Sequence, residues 1–203
     1  MSVRYLIYTM AFATGFAIMA AQMLGGRILA PWFGGSIYIW GSIITIFLIA
    51  LSLGYLVGGQ VSLIRPSLRK YGLLFIASGL ALLPIILFSD FLMDLTFVVT
   101  EDPRYGSLLA GALLFLLPAF IMGMISPYSI RLLVKSQADS GHTAGRLYFT
   151  STLGSALGTV GTAFYFVLYF EVNQILVTAL FCLIIPGILC QLSSWTPDEK
   201  TSS

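Results

Sequence analysis

Six apolar stretches, each close to the roughly 20 residues a helix needs to cross the hydrocarbon of a bilayer, constrain this chain more than any other feature. They run from about Tyr5 to Leu24, Ile37 to Val61, Tyr71 to Phe88, Ser107 to Ile125, Leu147 to Phe170 and Gln174 to Leu192. In lipid, backbone polar groups have no water to bond, so such runs are expected as helices that satisfy themselves. The remaining composition agrees: 9% of the residues are charged and 58% hydrophobic, against about 25% charged in an average soluble protein. A chain so poor in charge cannot cover a water-facing surface. The expected fold class is therefore all-α integral membrane, one domain of six transmembrane helices over residues 1–192 with a cytoplasmic tail over 193–203. Membrane lipids are its first expected partner, and six spans leave no room for a separate soluble catalytic domain.

The first run has the basic start and apolar centre of a signal peptide. It is nevertheless as long as a full span and is followed by Gly25, Gly26 and Arg27, so it is read as the first helix. Sidedness follows from the short connections, because Lys and Arg are retained on the cytoplasmic side. With the N-terminus inside, that side holds Arg4, Arg65, Arg69, Lys70, Arg131, Lys135, Arg146 and Lys200. The other holds Arg27 and Arg104 beside Asp90, Asp94, Glu101, Asp102 and Glu171. Both termini are thus expected in the cytoplasm, with the chain in a bacterial inner membrane. The net charge of +2 and the scatter of its cations exclude nucleic acid as a partner class. Residues 90–99, apolar positions alternating with Asp90 and Asp94, are too few to cross and are expected as a short helix lying in the outer interface.

Helices in lipid approach one another through small residues. The second run carries Gly54-x-x-x-Gly58, and the fifth carries Gly154-x-x-x-Gly158 with Ser151-x-x-x-Ser155. These faces predict the tightest crossings of the bundle. Because the second and fifth runs hold the same place in two sets of three, they also suggest the three-plus-three inverted repeat found in half of a major facilitator transporter. Pro84, Pro118 and Pro186 are expected to bend the third, fourth and sixth helices, while Pro31 and Pro127 are placed just after the first and fourth.

No ionisable residue lies at mid-span, so ion-coupled transport by this chain alone is disfavoured. The polar content of the spans is amide, hydroxyl and phenol. Gln22, Trp40, Tyr55, Tyr148 and Tyr165 are the candidate lining of a central cavity, whose aromatic faces would attract an amine. A buried Gln22 should bond a neighbouring helix, and Arg27 should pair with Glu171 or a lipid phosphate. Trp32, Tyr38 and Trp40 also fit an interfacial aromatic belt. Cys182 and Cys190 fall eight apart on one helix, about 12 Å of rise, which excludes a mutual disulfide. Without histidine nearby they make a poor metal site, and His142 sits in a loop. Neither a metal nor another cofactor is expected.

Two ordered stretches carry a resemblance. Arg27-x-Leu-Ala-Pro31-x-Phe-Gly34-Gly-Ser36-x-x-x-Trp40 is followed by Leu51-x-Leu-Gly54-Tyr55-x-x-Gly58-Gly59. Later come Leu117-Pro118-x-x-x-x-Gly123-Met-x-Ser-Pro127 with Arg131, and Gly145-Arg146-Leu-Tyr148-x-x-Ser151-Thr-Leu-Gly154-Ser-x-x-Gly158-Thr159. Together, over about Thr14 to Phe170, they resemble the membrane part of the fused major facilitator/spermidine synthase proteins. That resemblance implies a membrane bundle working with a cytoplasmic aminopropyltransferase-like domain, which joins an aminopropyl group from decarboxylated S-adenosylmethionine to an amine. After Leu192 the sequence has neither a Gly-rich nucleotide loop nor paired acids for an amine, so this chain is not expected to catalyse the transfer itself. Gln22 also stands where relatives usually carry an acid. The loop from Gly58 to Lys70 resembles the basic loop after the second helix of major facilitator transporters, without its usual Asp.

Three functions follow as expectations. The first is an accessory membrane subunit whose cytoplasmic rim, Arg65, Arg69, Lys70, Arg131, Lys135 and Arg146, docks a separately encoded soluble aminopropyltransferase-like enzyme and handles its amine or a lipophilic substrate. The second is a half-sized amine transporter acting as a homodimer. The third is a structural or lipid-binding scaffold.

Overall fold

A computed structural model describes residues 3–134 and 136–192. The described chain is helical throughout, as its apolar runs require: α1 (Val3–Phe33), α2 (Ile37–Leu63), α3 (Leu68–Leu80), α4 (Leu83–Val99), α5 (Pro103–Leu133), α6 (Ser140–Gly161), a π-turn (Thr162–Phe166), α7 (Val167–Tyr169) and α8 (Val172–Gln191). Six segments are long and apolar enough to cross a membrane, with α3 and α4 forming one of them and α6 through α7 another. Large apolar side chains point away from the protein all around the bundle, including Leu48, Leu56, Phe149, Phe164 and Leu168, which makes lipid their contact.

Helix ends are set by local chemistry. Ser67 Oγ accepts from the Lys70 N–H to start α3, and Asp102 accepts from the Arg104 N–H just before Pro103 to start α5. Glu171 and Gln174 form a reciprocal capping box on α8. Pro84 sits in the first turn of α4, where its missing N–H costs nothing, and the third crossing breaks just before it at Ala81 and Leu82. Residues 90–99 do not form a helix of their own: they continue α4, burying Met93 and Thr96 and stacking Phe97 against Trp32 and Phe33 at the end of α1. Pro31 and Pro127 likewise fall inside α1 and α5, which extend past the apolar runs, rather than after them.

The bundle is held by three close crossings, α2 on α5, α1 on α6, and α3 on α8. Glycine makes each of them. A methyl group on Gly54 would strike the Phe120 carbonyl, and one on Gly58 would meet Met124. In the same register, a methyl on Gly154 would strike the Phe12 carbonyl, and one on Gly158 the Phe16 carbonyl. The partner helices answer alike, Gly123 against Leu51 and Gly15 against Ser151. Both pairs advance in the same direction along the chain, so both are parallel. The third crossing is antiparallel and reciprocal, because Gly72 faces the Gly187 carbonyl and Gly187 faces that of Gly72.

Exchanging α1 with α5, α2 with α6, and the α3–α4 crossing with α8 maps the three close crossings onto themselves. Each half has an odd number of crossings and therefore runs opposite to the other. These crossings have the arrangement of a three-plus-three inverted repeat, in which the Gly72–Gly187 contact joins the two halves. The second and fifth spans make close crossings with the fourth and the first, not with each other. Phe47 and Phe115, 5.6 Å apart, fill the interior between α2 and α5.

Candidate functional site

Two cavities lie at opposite ends of the bundle. At the end opposite the helix-start residues Val3 and Ser140, a cavity of about 290 Å³ lies between α1, the start of α2 and the π-turn. Gly26 lets the Trp40 ring approach α1, since a methyl there would stand 3.0 Å from the indole. Gly34, at φ 81°, makes the left-handed turn into α2 that a side chain would strain. Arg27, Met23 and Ala30 supply the wall from α1, and Ala163 and Val167 the wall from the π-turn and α7.

Arg27 holds this site together. Its Nη1 donates to the Val167 carbonyl at 3.0 Å, joining residues 140 apart in sequence. That carbonyl needs a donor because α7 stops at Tyr169 and Phe170 is extended, while the Glu171 N–H donates to Gln174 Oε1 instead of continuing the helix. Arg27 is thus a cationic cap on a helix C-terminus, where the peptide dipoles favour positive charge. Its partner is this carbonyl and not Glu171, whose carboxylate is engaged in the α8 cap. Two hydroxyls nearby, Ser36 before α2 and Thr162 at the π-turn, are buried without partners. A π-turn and orphaned hydroxyls beside a cavity are features that proteins concentrate at working sites.

The five residues read as one cavity lining do not converge. Trp40 lines the end cavity. Gln22 is half-buried in α1 with no hydrogen bond to another helix among the described residues, because the α1–α6 approach is made by glycine and serine one to two turns away. Tyr55 and Tyr148 are exposed on α2 and α6, and Tyr165 is exposed on the π-turn. The cavity's cation makes it suited to an apolar ligand with an acceptor group rather than to an amine.

At the other end of the bundle lie Arg4, Arg65, Arg69, Lys70, Arg131 and Arg146 with His142 and, among the described residues, a single acid, Asp139. Lys135 lies outside the described residues. Tyr71 and Tyr128 stack at 5.9 Å, Tyr71 bonds Ser129 Oγ at 2.8 Å, and the Ser67 N–H donates to Tyr128 Oη at 3.1 Å, fastening the α2–α3 turn to α5. Lys70 Nζ donates to the Ile64 carbonyl at 2.6 Å and Gln191 Nε2 to that of Arg69 at 2.8 Å. Lys70 is therefore spent on capping α2, whereas Arg65, Arg131 and Arg146 face outward. Among the described residues no three of His, Cys, Asp or Glu gather as a metal site.

The π-turn and Val167 had no signal in the residue pattern; Ser36 stood out only as part of the Arg27–Trp40 stretch, and Thr162 only as one of the hydroxyls of the spans. Only the isolation of Arg27 on the acid-rich side hinted that something there needed a cation. The chain is an integral-membrane-type helical bundle, and in comparisons with protein-family models, curated proteins and solved structures it matches none.

Proposed function

We propose that this chain is a membrane subunit that lies in a bacterial inner membrane with its basic end in the cytoplasm and docks a separately encoded soluble enzyme of the aminopropyltransferase class there. The observation that carries the reading is the charge separation: Arg65, Arg131 and Arg146 face outward at one end, while Asp90, Asp94, Glu101, Asp102 and Glu171 all belong to the other. Positive charge retained on the cytoplasmic side supports the orientation, and a basic rim suits an acidic protein surface, which it would steer into contact. The class of enzyme rests on the resemblance of the Arg27–Trp40 and Gly145–Thr159 stretches to the membrane part of the major facilitator/spermidine synthase proteins. Purification of the tagged chain from its native membrane in mild detergent tests it. An aminopropyltransferase-like protein should co-purify from wild type and be lost from a variant with Arg65→Glu, Arg131→Glu and Arg146→Glu. A monodisperse, folded chain that brings down no soluble protein refutes docking.

The inverted repeat favours a second reading, a half-sized transporter that pairs with a second copy. In that reading Tyr55 and Tyr148, both exposed, line the path between copies and hold an amine by cation–π contact. Uptake of labelled polyamine into proteoliposomes, reduced by Tyr55→Ala, would favour it over docking. Flux no greater than in empty vesicles removes it.

A further inference from the structure

The basic end contains a second cavity, of about 310 Å³, lined by Arg4, Tyr5, Tyr8 and Arg146. Arg4 and Tyr8 stand one turn apart on α1 and so share a face, and Arg146 comes from the second turn of α6 across the glycine crossing. Neither guanidinium has a hydrogen-bonded or ionic partner among the described residues, and no acid lines the cavity with them. Two like charges facing one space repel, and Arg4 stands in the first turn of α1, whose dipole end is positive as well. Tyr8 also lines the cavity, although its hydroxyl is shielded from solvent. One kind of ligand answers the paired, unopposed charge: an oxyanion that accepts from two planar guanidinium forks.

We propose that Arg4 and Arg146, in the cavity they share with Tyr5 and Tyr8, form a phosphate-binding site at the bundle's basic end, for the phosphate of an anionic lipid headgroup or for free phosphate. The volume is at the small end of the about 300–1,000 Å³ typical of ligand sites and admits a phosphate with a short substituent. Tyr5, 70% exposed beside the cavity, and Phe149, 69% exposed one turn on from Arg146, leave its flank open to the lipid side. The site stands whether or not the basic rim docks an enzyme.

The test uses the full chain in neutral detergent, titrated separately with phosphatidylglycerol, phosphatidylcholine and inorganic phosphate. Retained ligand is counted by native mass spectrometry and stability followed by thermal unfolding. Wild type should retain phosphatidylglycerol over phosphatidylcholine, or bind inorganic phosphate, and melt at a higher temperature with it. Arg4→Gln and Arg146→Gln should each weaken that binding by roughly tenfold, the loss of a charge-assisted hydrogen bond. Competition by inorganic phosphate assigns the site to a free anion, and its failure to compete assigns it to lipid. Arg65→Gln and Arg131→Gln, at the same end but outside the cavity, should bind as wild type. Arg4→Lys and Arg146→Lys, which keep the charge but lose the planar fork, guard against a misfolded Gln variant and should weaken binding severalfold. No anion bound by wild type, or equal losses in the cavity and rim variants, overturns the proposal.

Discussion

The crossing of α2 with α5 and the crossing of α1 with α6 are two versions of one design, and they differ at their ends. Each places Gly-x-x-x-Gly of one helix against the backbone of the other in a shared register. The α2–α5 crossing is filled by Phe47 and Phe115. Its counterpart adds a hydroxyl, with Ser155 Oγ donating to the Gly15 carbonyl at 3.2 Å, and then breaks into a π-turn whose following carbonyl is taken up by Arg27. The repeated part holds the two halves together. The part that departs from the repeat coincides with a cavity and two of the unpartnered hydroxyls, so the asymmetry marks where the scaffold was adapted.

If the two crossings are equivalent, equal insults should cost equal amounts. Gly54→Ala and Gly154→Ala each push a methyl into a backbone carbonyl, with no flexible side chain to yield, and each should destabilise by about 1–3 kcal/mol. Unfolding in mixed micelles measures both, and a neutral result for either one breaks the equivalence. Arg27→Gln belongs to one crossing only. Removing the cap from Val167 should cost about 1 kcal/mol and speed hydrogen exchange at the amides of residues 168–171, leaving the α2–α5 amides unchanged. Loss of the added hydroxyl bond in Ser155→Ala should be smaller, about 0.6 kcal/mol, the usual worth of such bonds in membranes. Smallest of all, Gly59→Ala meets nothing within 4 Å and should stay within about 0.5 kcal/mol of wild type.

The sequence was informative where physics is local. Apolar length announced the crossings, and small-x-x-x-small spacing named Gly54, Gly58, Gly154 and Gly158 as packing positions, because both depend on one helix at a time. Which helices those glycines meet depends on the fold of both halves, so the pairing of α2 with α5 could not be read from either stretch alone. Helix ends were misplaced for the same reason: α1 and α5 run on through Pro31 and Pro127, and 90–99 stays helical with α4, held by tertiary contacts such as Phe97 on Trp32. Gln22 carried weight as a polar residue in an apolar run, yet the crossing beside it is made by backbone and serine. The end cavity needed a helix to break at Phe170, and the capping box of Glu171 and Gln174 that makes the break was not recognised in the residue pattern.

The central claim is that two oppositely directed halves span one bilayer, with the cation-rich connections on its cytoplasmic side. Single cysteines at Gly35, Glu101, Arg65 and Gln137, in a Cys182→Ala, Cys190→Ala background, test it with a membrane-impermeant maleimide on intact cells. Gly35→Cys and Glu101→Cys should react from outside, whereas Arg65→Cys and Gln137→Cys should react only after the membrane is opened. Labelling of Arg65→Cys together with Glu101→Cys on the same face would contradict the account.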